Sequence, residues 1–332
     1  MYKKEDGKLL SLGVDLGGTK IEAALVDTTG RILASHRCPT HADKGPDVVI
    51  AAVIACVEEC LDKADGSVRC LGIGTAGQID QDTGVVRFAP NLGWRDVLLM
   101  SRLEKSLGLP VVVSNDVRAA TYGEWCYGAG RGINDMVCLF VGTGVGGGII
   151  SGGTLLEGCH NTAGELGHVT IVTNGRQCHC RNRGCLEAYV GGWAIAERAQ
   201  EAVLAKPDDG QHLVELAGGI QQISAATVTR AHINGDPLAQ HLVEETVQYL
   251  AAGIVGIVNT LNPCLIVLGG GVIQGLPEYI SMAEQRVKSF ALEAAIDDLR
   301  IITAGLGDKA GVIGAAALAF HKTQQSEQKP RR

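Results

Sequence analysis

Two stretches of this chain carry the same short pattern. Residues 12–23 and 140–150 each run from an apolar strand into a turn of glycine and threonine, then out along a second apolar strand. Glycine lacks Cβ, so it reaches positive φ and lets successive N–H groups converge on one anion. The same junction used twice predicts a duplicated architecture. Further strands are predicted at 32–35, 70–74, 110–114, 136–141, 149–151, 265–268 and 300–304. Helices are predicted at 46–64, 94–107, 117–126, 237–261, 277–293 and 309–321. Strands alternating with helices place the chain in the α/β class. The polar tail, 323–332, is expected to be disordered.

Composition narrows what such a frame can do. The 332 residues predict about two domains, and 45 of them are glycine with no every-third period, which excludes collagen. The net charge of −7 argues against a nucleic-acid partner, and an aromatic share of 4% against base-stacking platforms. The start MYKKEDGKLL has no apolar signal region, and no 18-residue apolar run is present. The expectation is a cytoplasmic protein without a membrane partner. The 11 cysteines are then read as thiols plus a metal site, not as a disulfide framework.

Three strand-to-glycine junctions are candidates for phosphate binding. They comprise Asp15, Gly17, Gly18, Thr19 and Lys20; the loop 142–148 with Gly142, Thr143 and Gly144; and Gly269, Gly270 and Gly271. None is a Walker A loop. Gly72, Gly74 and Gly77 match a dinucleotide fingerprint, but the following residues are turn-like where that fingerprint must open a helix. Any one glycine loop could be a mere tight turn. Three together, two with a threonine, favour phosphate. Asp15 could hold Mg²⁺ directly or through water, and Lys20 is either a phosphate contact or a solvated strand residue.

Cys178, Cys180 and Cys185 fall within eight residues, with His168 ten residues earlier. Three thiolates and one imidazole form a closed tetrahedral set, which suits structural zinc. His179 competes for the fourth place but is sterically awkward between two ligands. The remaining thiols, including Cys56, Cys60, Cys138 and Cys264, lie mostly on apolar runs and are read as small core residues.

Asn115 and Asp116 end an apolar strand and begin a helix. An aspartate there is placed to take a proton from a substrate hydroxyl, and equally to cap the helix. Glu165, His168 and Glu187 surround the cysteine loop, and Asn91 adds an amide; these groups suit a polyhydroxylated ligand. Trp94 could stack on a sugar face, although a core position is the commoner fate of tryptophan.

Taken together, these motifs resemble the ROK family of sugar kinases and repressors. The matches are Asp15 to Lys20, Asn91 after Pro90, Asn115-Asp116, Gly142-Thr143-Gly144, the turn Gly164 to His168, and the cysteine cluster followed by Glu187. The resemblance implies an actin-like, ribonuclease H-like ATPase fold with two α/β lobes and an interdomain cleft. The small lobe would be 1–117, rejoined by a C-terminal helix at about 308–322, and the larger lobe 118–307. It implies ATP and Mg²⁺ at the glycine loops, zinc in the cysteine loop, and Asp116 as general base. Asn91, Asn115, Glu165, His168 and Glu187 would contact sugar hydroxyls.

The implied reaction is phosphorylation of a hexose primary hydroxyl, glucose first. Fructose, mannose and N-acetylhexosamines stay open as acceptors, polyphosphate as a donor, and a non-catalytic sugar sensor or sugar-independent ATPase as another class. The family also implies a homo-oligomer, a dimer or tetramer. Its repressors carry an N-terminal helix-turn-helix domain, for which a first strand near Leu9 leaves no room. One departure is visible: Arg181 stands where the family often has glycine.

Overall fold

The computed structural model describes residues 8–328. The residues before Lys8, read above for a signal segment, and 329–332 of the tail lie outside that range. The strands are β1 Leu9–Leu16, β2 Lys20–Asp27, β3 Ile32–Pro39, β4 Ser67–Thr75, β5 Gln78–Ile79, β6 Val86–Ala89, β7 Trp94–Val97, β8 Val111–Asn115, β9 Met136–Val141, β10 Val145–Ser151, β11 Thr154–Leu155, β12 Leu265–Gly269 and β13 Arg300–Thr303. Two five-stranded sheets have the orders β3-β2-β1-β4-β8 and β11-β10-β9-β12-β13. In each, one hairpin pairs antiparallel and two later strands join in parallel. The duplication suggested by two glycine turns therefore extends to whole sheets.

The described residues divide into two compact units. The first comprises the described parts of Met1–Gly132, Thr154–Ala163 and Gly305–Arg332, and the second Ile133–Gly153 and Gly164–Ala304. The first unit thus runs past the expected boundary at 117. The reason is the helix Asp116–Tyr127, which packs so closely on the C-terminal helix Ala310–Gln328 that a Cβ on Gly314 would overlap the Ala119 carbonyl. The same C-terminal helix lies on the sheet at Gly13 and Gly72, adjacent partners in the β1–β4 register, where side chains would strike Val312 and Ala315 carbonyls. Gly72 is therefore a packing residue, and Gly77 leads into β5, not into a helix.

On the other face of the first sheet, the helix Pro46–Leu61 buries Val49, Val53, Cys56, Val57 and Cys60, the spacing of a one-sided apolar stripe. In the second unit the long helix Pro237–Leu261 starts with Asp236 accepting from Ala239 N–H at 2.8 Å. It ends at Asn262, whose φ of 45° is the left-handed stop that Pro263 follows.

Four expectations change. Residues 94–107 are not one helix: Trp94–Val97 pairs with β6 in a small β5-β6-β7 sheet, and the helix begins at Leu99. Trp94 is only 1% exposed and so belongs to the core. The second glycine loop is shorter than 142–148, because Gly146 to Gly148 already pair with Phe140 to Cys138. Glycine suits that stretch because a Cβ on Gly147 would press on the Gly164 carbonyl at 2.7 Å. The tail is helical as far as Gln328, tied by Lys322 to Glu157 at 2.6 Å and by Arg69 to Glu327 at 2.7 Å. Finally, Cys56, Cys60 and Cys138 are buried, but Cys264 is exposed.

Candidate functional site

In the first unit the glycine turn between β1 and β2 is closed by Gly17 N–H donating to Lys20 O at 3.0 Å. It is braced from outside by Thr40, whose N–H donates to Thr19 O at 3.0 Å and whose hydroxyl donates to Gly17 O at 2.7 Å. Gly18 approaches Asn91 so closely that a Cβ would stand 2.9 Å from its carbonyl oxygen. The packing of the turn thus brings Asn91, an exposed residue of the short turn Pro90–Leu92, beside Gly18.

Asp15 lies at the end of β1, against the first turn of the C-terminal helix; a Cβ on Gly311 would sit 3.2 Å from its carboxyl carbon. Burial, and next the negative charge of Asp116, push its carboxyl up to about 6. Lys20 and Arg37 pull the other way, and Glu22 adds to the rise. Glu22 is a charged group the motif reading passed over. It faces Asp15 in register, is 1% exposed, and pairs with Lys309 and with Arg37. The available signal was a glutamate inside the otherwise apolar run 21–26.

The strand β8 ends beside β4, and the Asn115 side chain accepts from both Val117 N–H and Arg118 N–H. Capping of the helix Asp116–Tyr127 is therefore the task of Asn115. Asp116 accepts from Val117 N–H at 2.9 Å through one oxygen. The sequence alone left cap and base equally open for this aspartate. The structure gives the cap to its neighbour.

In the second unit, Gly142 N–H donates to Gly144 O at 2.9 Å, so the turn between β9 and β10 closes in three residues. Gly192 and Trp193 N–H groups donate to the carbonyls of Gly142 and Thr143. Glu187 opens a short helix directly after the cysteine loop, and its carboxylate accepts from Val145 N–H at 2.8 Å. A side chain at Gly144 would collide with that carboxylate at 2.5 Å. Trp193 Nε1 donates to the other oxygen at 3.4 Å. The glycine turn, Glu187 and the cysteine loop are thereby one mechanical unit. Glu165 is exposed at the head of the turn Leu166–His168, and Gly269 to Gly271 close β12, with Gly270 at φ 89°.

His168, Cys178, Cys180 and Cys185 present one ligand atom each, all within 4.8 Å of one another. Cys180 and Cys185 sulfurs are 3.6 Å apart, and Cys178 Sγ is 3.8 Å from His168 Nδ1. Tetrahedral coordination with Zn–S of about 2.3 Å sets sulfurs about 3.8 Å apart, so the donor set and its spacing fit that metal. His179 is outside the group and stacks on Trp193 at 4.1 Å between centroids. Arg181 follows the expected glycine path at φ 77°, a left-handed conformation.

Among the described residues, no helix is long and apolar enough to cross a membrane. A family model described as the ROK family matches residues 11–322. A glucokinase of Streptomyces coelicolor is 35% identical over 312 residues, covering 93% of this chain and 97% of that protein. Among solved structures, a ROK family glucokinase from Streptomyces griseus in complex with glucose and AMPPNP aligns with a TM-score of 0.81 at 35% identity, covering 94% of this chain and 99% of that one. A ROK hexokinase from Thermus thermophilus aligns with a TM-score of 0.83 at 33% identity, covering 95% and 99%.

Proposed function

The chain belongs to the ROK family and has its actin-like ATPase fold, and from that premise we propose that it is an ATP-dependent sugar kinase whose acceptor is glucose. The observation that carries the chemistry is the division of labour at the end of β8. Asn115 caps the helix, and Asp116, the next residue and close enough to Asp15 to raise its pKa, is the carboxylate placed as the general base that takes the proton of the attacking primary hydroxyl. Relatives named glucokinase, alike over nearly their whole length, carry the choice of sugar.

Phosphoryl transfer asks the protein mainly for positioning and charge. The residues we assign to the nucleotide are Asp15, Gly17, Gly18, Thr19 and Lys20 in the first unit and Gly142, Thr143, Gly144 and Gly269 to Gly271 in the second. A half-buried carboxyl pushed up to about 6 by desolvation and by a second carboxylate is the condition that a divalent cation relieves. Mg²⁺ held there would neutralise charge on the phosphoryl oxygens. Asn91, Asn115, Glu165, His168 and Glu187 hold sugar hydroxyls. Zinc held by Cys178, Cys180 and Cys185 would take His168 through the ring nitrogen nearest those sulfurs, Nδ1 lying 3.8 Å from Cys178 Sγ, and leave the other nitrogen for a hydroxyl.

Eleven cysteines without a disulfide, eight of them outside the metal group, suit a reducing, cytoplasmic compartment. The proposed partners are sugar and ATP, with a dimer or tetramer as the assembly and no nucleic acid. The test is ADP release against a panel of glucose, fructose, mannose and the two N-acetylhexosamines, with ATP and polyphosphate as donors, read as kcat/KM. Glucose with ATP should lead. Sugar binding without ADP release would instead make the chain a sensor, and ADP release independent of sugar would remove the kinase reading.

A further inference from the structure

Eight of the cysteines lie outside the metal group, and two of them meet. Cys38, on β3, and Cys56, on the helix Pro46–Leu61, bring their sulfurs to 2.7 Å. That separation is shorter than the 3.6 Å between Cys180 and Cys185, and too short for two sulfurs sharing one tetrahedral metal. It is within an ångström of the bonded distance of about 2.05 Å, so bonding needs little backbone movement. The Cys38 thiol also points at the Ala52 carbonyl, one turn before Cys56. A cavity of about 480 Å³, lined by His36, Cys38, His41, Cys56, Glu58 and Glu59, opens onto the pair.

We propose that Cys38 and Cys56 are a reversible oxidation site, a disulfide that staples the helix Pro46–Leu61 to β3 when a hydroperoxide enters this cavity. Hydroperoxide is the class that fits, because the lining glutamates disfavour bulky anionic disulfides such as oxidised glutathione. The steps balance with that oxidant alone. Cys38, half-buried, attacks as thiolate, breaks the O–O bond and becomes a sulfenic acid, with water as the other product. The Cys56 sulfur then attacks the Cys38 sulfur, and the sulfenic oxygen leaves as water with the Cys56 proton. Two thiols and one hydrogen peroxide give one disulfide and two waters.

The order follows from environment. Cys56 is 1% exposed, and burial, with the hydrogen bond to Cys38 next, pushes its thiol up to about 12, which suits the second step and not the first. The staple would sit at the base of the first glycine turn. Two residues beyond Cys38, Thr40 holds the carbonyls of Gly17 and Thr19.

Treatment of the metal-loaded full chain with stoichiometric hydrogen peroxide tests this. A non-reducing peptide map should join the Cys38 and Cys56 peptides, and dithiothreitol should separate them. The closed loop spans 18 positions, so Tm should rise by about 5 °C on oxidation and fall back on reduction. Cys38→Ser should abolish both the cross-link and the rise. Recovery of the two peptides unlinked while other thiols oxidise, or Cys56 joined to Cys60 instead, would overturn the proposal. The wild-type map decides the matter even if the variant fails to fold.

Discussion

The two sheets share one strand order, yet the turns they carry are unlike. In the first, Asp15, half-buried and one place before the end of β1, lies beside Asp116, with Glu22 opposite it. In the second, the residue one place before the end of β9, as Asp15 is in β1, is Phe140, whose ring packs where a side chain on Gly269 would go. The second turn meets its carboxylate from elsewhere: Glu187 arrives on the cysteine loop and is pinned by Val145 N–H. Duplication supplied two copies of a frame. One copy carries its acid on the strand itself, and the other imports it on a loop that a metal can hold.

Four changes would sharpen or break that contrast. Asp116→Asn removes the proposed base from the first unit; turnover should fall by about 10²–10⁴-fold with sugar binding largely kept, as measured by ADP release and by calorimetry. Near-normal turnover would leave Asp116 no chemical role. Extracting the metal, or replacing Cys185 by serine, removes the mount of Glu187 and His168. Turnover should drop roughly 10–100-fold, while metal analysis of the untreated protein finds one zinc per chain.

Asp15→Asn separates stability from activity. With its folded pKa raised from 3.8 to about 6, Asp15 costs nothing below pH 4, an increasing amount between pH 4 and 6, and its full penalty above. That penalty is on the order of 2–3 kcal/mol. The ligand-free variant should therefore be more stable than the parent at pH 7.5 and equal to it near pH 3.5, with kcat/KM for ATP reduced. Chemical denaturation at both pH values checks the sign. Arg181→Gly has the smallest effect: relief of a left-handed arginine should add about 1 kcal/mol or less, with sugar kinetics unchanged.

Much of this was legible in the chain because it is local. Strand, turn and returning strand follow from apolar runs broken by glycine, and the metal group from cysteines spaced within one loop. Asn262 before Pro263 marks a helix end by its own backbone preference. The misread segments are those where distant contacts outrank local pattern. Trp94 has the composition of a helix start, but its ring is drawn into the core and its segment pairs with β6. The glycines 146–148 look like loop, but the turn before His168 needs their bare backbone to lie against.

By itself, then, the sequence determined the α/β class, the repeated glycine turns, the cysteine spacing and the order of the family's motifs, since each depends on neighbours along the chain. The tertiary structure alone decided which of Asn115 and Asp116 caps the helix and how far Asp15 is pushed from its ordinary acidity. Those outcomes depend on burial and on charges from strands and helices remote in sequence, which no local pattern encodes.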